Sequence, residues 1–102
     1  MADFAKLCEI SDVDDGEIAA FEVEGETVAV ARVGDSYYAF DDTCTHAMCS
    51  LADGWIDGTA VTCPCHSSEF DIKTGEVLTA PATEAMKTYD VRVSGDDIQV
   101  KV

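Results

Sequence analysis

The stretches CTHAMC (44–49) and CPCH (63–66) hold four of the five cysteines and both histidines of a 102-residue chain. A fold that brings the two stretches together can bind a metal through sulfur and nitrogen, whereas a fold that separates them leaves the donors with no common task. Cys44 and His46, then Cys63 and His66, each offer one thiolate and one imidazole with one or two residues between them. A single tetrahedral zinc also takes two cysteines and two histidines, so the metal is open at this point. The N-terminal MADFAKLCEI lacks the basic and apolar runs of a leader. The expected compartment is therefore the cytoplasm, where cysteines are more often metal ligands or redox groups than a disulfide framework. The fifth cysteine, Cys8, sits in an apolar strand-like stretch and is expected to be a buried, inert thiol.

The chain carries 21 acidic against 6 basic residues, a net charge of −15. Like charge repels phosphate, so neither nucleic acid nor an anionic membrane is an expected partner, and a protein with a basic patch is. No run approaches the roughly 18 apolar residues that span a bilayer. The chain thus reads as soluble, monomeric and a single domain with a modest core.

Hairpins dominate both ends. EIAAFEV (17–23), ETVAVARV (26–33) and SYYAF (36–40) are rich in β-branched and aromatic residues and are split by EG and GD, which are turn signals. YDVRV (89–93) and DIQVKV (97–102) alternate apolar and polar residues around SGD. No segment has a helical period. These runs predict an all-β, antiparallel sandwich or barrel made of the two ends. The middle third, 43–81, has shorter strands broken by DGWIDG and KTGE. It reads as a small inserted sheet with the two Cys/His stretches in loops before and after it, and Trp55 is expected to pack beneath those loops.

The pattern C-x-H, sixteen intervening residues and C-x-x-H resembles the Rieske [2Fe–2S] signature, with its matches at Cys44, His46, Cys63 and His66. DGWIDGTAVTCPCH followed by FDIKTGEVLTAPA is similar to the small Rieske ferredoxins of bacterial aromatic-ring dioxygenase systems, and the resemblance covers most of the chain. It implies a Rieske fold, with a base at 1–42 and 82–102 and a cluster-binding subdomain at 43–81. It also implies one [2Fe–2S] cluster, with Cys44 and Cys63 on one iron and His46 and His66 on the other.

One feature departs from those ferredoxins. Cys49 and Cys65 match the pair that forms a disulfide between the cluster loops in Rieske proteins of the cytochrome bc and b6f complexes, and a Cys49–Cys65 bridge is the implied pairing. In the same high-potential loops a serine and a tyrosine donate hydrogen bonds to cluster sulfurs; here those positions are Ser68 and Phe70. One donor kept and one lost implies a potential in the lower part of the Rieske range.

The resemblance further implies a one-electron carrier between a flavin-containing ferredoxin reductase and a terminal Rieske oxygenase, with the two-histidine edge as the electron port. Such a protein is not itself an enzyme, and the sequence has no Ser/His/Asp set and no phosphate-binding glycine loop. Two other readings compete with the shuttle. One is a fixed relay subunit of a larger reductase or oxidase. The other is a zinc-bound or metal-less interaction domain, which unlike a Rieske protein would be colourless.

Overall fold

In the computed structural model, residues 4–43, 49–65, 68–79 and 85–101 are described. Among them there are ten β-strands and no α-helix. The first four are β1 (Ala5–Glu9), β2 (Ile18–Val23), β3 (Glu26–Val33) and β4 (Ser36–Asp41); the middle of the chain forms β5 (Trp55–Asp57), β6 (Ala60–Thr62), β7 (Glu69–Asp71) and β8 (Val77–Thr79); β9 (Thr88–Ser94) and β10 (Asp97–Lys101) close it. The two ends of the sequence build one antiparallel six-stranded sheet in the order β1-β10-β9-β4-β3-β2. Its outermost strands, β1 and β2, approach each other, so the sheet nearly closes into a barrel. The middle strands form a separate antiparallel sheet, β5-β6-β7-β8.

Turn chemistry sets the register of the hairpins. Glu24 and Gly25, between β2 and β3, both take positive φ (49° and 82°), as a type I′ turn requires, and Val23 pairs with Glu26 across it. Strand β3 explains how the two sheets meet. Its centre, Val28 to Ala31, is fully buried on both faces. Alternation along the strand sends Val28 and Val30 into the barrel interior with Ile98, Val100 and Val13. It sends Ala29 and Ala31 outward, into a second core shared with Leu51, Val61, Phe70 and Ile72. The small alanine side chains on that face let the four-stranded sheet lie close against the barrel.

The second Cys/His stretch is placed differently from the expectation. It is the connection between β6 and β7, inside the small sheet rather than after it. A three-residue strand such as β7 buries only Phe70, which is too short a pattern for alternation to announce.

Cys8 is buried in the barrel interior. Burial first, and the nearby Asp12 carboxylate second, push its thiol up from 9.0 to about 11. Native protein treated with iodoacetamide at pH 8 is therefore expected to label Cys8 about a hundredfold more slowly than the unfolded chain, because the thiolate is the reactive form. Peptide mapping by mass spectrometry measures this, and equal native and unfolded rates would contradict it.

Candidate metal centre

The first stretch begins where β4 ends. Thr43 and Ser50 pair as an isolated antiparallel bridge, so the chain leaves at 43 and returns beside itself at 50. Asp42 reinforces that closure. Its Oδ2 accepts a hydrogen bond from the Ser50 hydroxyl at 2.6 Å and its Oδ1 accepts one from the Ala52 N–H at 2.9 Å. Leu51 then drops its side chain, fully buried, into the shared core.

The second stretch is closed from the other side. Cys63 directly follows β6 and is fully buried in the shared core. Its N–H donates to the Ser68 carbonyl at 2.8 Å, so the chain is pinned at 63 and again at 68. Ser68 is fully buried, and Phe70 is fully buried in the core that also holds Cys63.

A disulfide between Cys49 and Cys65 ties the two stretches together, with a Cα–Cα separation of 6.5 Å. It engages two of the four cysteines in these stretches, and Cys63 is not one of them. Cys44, His46 and His66 lie outside the described residues. What the structure brings together is thus the ends of both motif segments: one closed by Asp42, one by Cys63 and Ser68, and the two joined by a covalent bond.

Trp55 corrects an expectation. It is 54% exposed rather than packed beneath the loops. Strand β5 is an edge strand of three residues, and Ile56 packs against the shared core; alternation then directs Trp55 and Asp57 to solvent. Gly54 fixes this path, since a Cβ there would overlap the carbonyl oxygen of Thr62 on the neighbouring strand. Trp55 lines a surface groove of about 250 Å³ with Glu17, Ile18 and Ala52.

The surroundings are acidic. No lysine or arginine occurs between Arg32 and Lys73, and Asp53, Asp57, Glu69 and Asp71 flank the two stretches. Sequence reasoning missed Asp42. Its one signal is position, an acid at the end of a strand two residues before the first cysteine.

The chain matches the family model of the Rieske [2Fe-2S] domain over residues 3–90. It is 35% identical to the ferredoxin component of the naphthalene 1,2-dioxygenase system of Pseudomonas aeruginosa over 89 residues, 87% of this chain and 86% of that protein. Its fold superposes on the ferredoxin of carbazole 1,9a-dioxygenase from Nocardioides aromaticivorans with a TM-score of 0.92 and 33% identity, covering 96% of each chain. A chain in the complex of reduced oxygenase and oxidized ferredoxin of carbazole 1,9a-dioxygenase gives a TM-score of 0.89 at 36% identity, covering 96% of this chain and 92% of that one. The donor chemistry fits the [2Fe–2S] group of that family: a buried cysteine on a pinned connection, covalently tied through Cys65 to a second stretch of Cys/His composition. The chain belongs to the Rieske [2Fe–2S] family, and its cofactor is a [2Fe–2S] cluster rather than zinc.

Proposed function

We propose that Cys44 and Cys63 bind one iron and His46 and His66 the other, in a subdomain at 43–81 carried by a base formed from 1–42 and 82–102. The bound cluster supplies one-electron chemistry. The protein's own residues hold it, wall it from water on the Cys63 side, and present a histidine edge to partners. With all four positions taken by side chains there is no site for a substrate, in keeping with relatives named as ferredoxin components rather than oxygenases. The chain carries electrons, and in this reading it is a cytoplasmic monomer that receives them from a flavoprotein ferredoxin reductase and passes them to a terminal Rieske oxygenase of an aromatic dioxygenase system. The observation that carries the reading is the match to dioxygenase ferredoxins along nearly the whole chain, in sequence and in fold, with Cys63 buried on the pinned β6–β7 connection.

The acidic surroundings of the two loops call for basic patches on both partners, so transfer is expected to slow as salt rises. Stopped-flow reoxidation of the reduced protein by a terminal oxygenase tests this, together with gel filtration of the protein from native cells. Salt-sensitive reoxidation and elution near 10.9 kDa are expected. Lack of reoxidation by any such oxygenase, or stoichiometric retention in a large complex, would overturn the shuttle.

Ser68 and Phe70 tune the potential in this reading. A hydroxyl donating to a cluster sulfur stabilises the reduced, more negative cluster. At roughly 0.5 to 1.5 kcal/mol for such a bond, and about 59 mV per tenfold change in a one-electron couple, each donor shifts the potential by on the order of 20 to 65 mV. Protein-film voltammetry is expected to show a lower potential for Ser68→Ala and a higher one for Phe70→Tyr. A Ser68→Ala shift of under about 10 mV would show that this hydroxyl does not reach the cluster.

A further inference from the structure

Among the described residues, Asp42 is the one acidic side chain that is buried, at 7% exposure. All of its polar atoms are engaged. Its N–H donates to the Thr27 carbonyl on β3 at 3.2 Å, and its carbonyl accepts from the Leu51 N–H at 2.6 Å. Its carboxylate accepts from the Ser50 hydroxyl and the Ala52 N–H. Leu51 and Ala52 open the short 3-10 turn Leu51–Asp53, whose N-cap residue, Ser50, makes no side-chain cap bond. Asp42 supplies that cap from a distant point in the chain. Only a carboxylate offers two acceptor oxygens and no donor, so an asparagine in the same place would turn an amide N–H₂ toward one of the two donors.

These bonds clamp both ends of the segment 43–50, which carries Cys44, His46 and the Cys49 end of the disulfide. We propose that Asp42 is a positioning residue of the metal centre, fixing the first ligand loop to β3 and to the turn that follows it. The inference rests on the reading of Cys44 and His46 as ligands. The disulfide joins one loop to the other; Asp42 instead closes the first loop on itself, so the two constraints are separate.

The test compares the wild type with Asp42→Ala, Asp42→Asn, Ser50→Ala and a charge control, Asp35→Asn, at an exposed position in the β3–β4 turn. For each, the half-life of cluster bleaching on warming, the electron paramagnetic resonance line shape of the reduced protein and the reduction potential are measured. Supporting groups around metal ligands commonly affect affinity by about 10- to 100-fold. Asp42→Ala is therefore expected to shorten the half-life by about tenfold or more and to broaden the line shape. Asp42→Asn, which keeps one acceptor, is expected to recover part of both, Ser50→Ala to give a smaller loss, and Asp35→Asn to match the wild type. If Asp42→Ala does not fold, Asp42→Asn and Ser50→Ala carry the test. Unchanged line shape and potential in the Asp42 and Ser50 variants, whatever the half-life, would reduce the residue to a structural role and overturn the proposal. A wild-type protein without a Rieske signal would instead sink the ligand reading, and the proposal with it.

Discussion

Replacing Cys63 with Ser removes the cluster: the purified protein is expected to be colourless, with bound iron reduced to a few per cent of the wild-type content or less. Cys63 is fully buried in the apolar core shared by the two sheets, and its N–H is tied to Ser68. A serine hydroxyl there is a poor ligand for iron and cannot swing to water for compensation. Cys44→Ser is expected to do the same, and His46→Ser or His66→Ser to abolish the Rieske spectrum. Cys8→Ser, in the other core, is expected to leave colour and iron unchanged. Iron analysis and visible absorption decide the matter, and stoichiometric iron in Cys63→Ser would contradict the account.

The second large effect belongs to the Cys49–Cys65 bridge. Its sequence separation is 16, and closing a loop of that size stabilises the fold by roughly 3 kcal/mol on the chain-entropy model, with measured values often lower. For a domain of this length about 1 kcal/mol corresponds to roughly 4–8 °C in Tm. Cys49→Ser/Cys65→Ser is therefore expected to assemble a cluster but to melt on the order of 10 °C lower and to bleach faster. Cys65 is exposed, so reductant alone is expected to reproduce the effect in the wild type. Calorimetry with and without reductant measures both. Equal melting temperatures and equal bleaching half-lives would show that the bridge contributes nothing.

The barrel was legible in the sequence because its strands are long and its turns chemically marked. EG, GD and the glycine and aspartate of SGD all fall in hairpin connections. The unbroken apolar VAVA of β3 needed more than alternation, since it serves a core on each face. The small sheet was legible only as a region. Its strands have three residues each, so the β6–β7 connection and the outward turn of Trp55 follow from pairing with neighbours, a non-local fact. Residue spacing pointed to a metal, while its identity and the Cys49–Cys65 pairing came through family resemblance. Asp42 was hidden for a different reason: its partners, Ser50 and Ala52, lie eight and ten residues downstream, and only the closed loop brings them within reach.

The central claim is a [2Fe–2S] cluster held by two cysteines and two histidines. Electron–nuclear double resonance on the reduced protein, grown with isotopically labelled histidine, tests it most directly. The account predicts a Rieske-type signal coupled to two distinct histidine nitrogens, with one coupling lost in any His46 or His66 variant that retains a cluster. A reduced signal with no histidine coupling, or a colourless protein containing stoichiometric zinc, would contradict it.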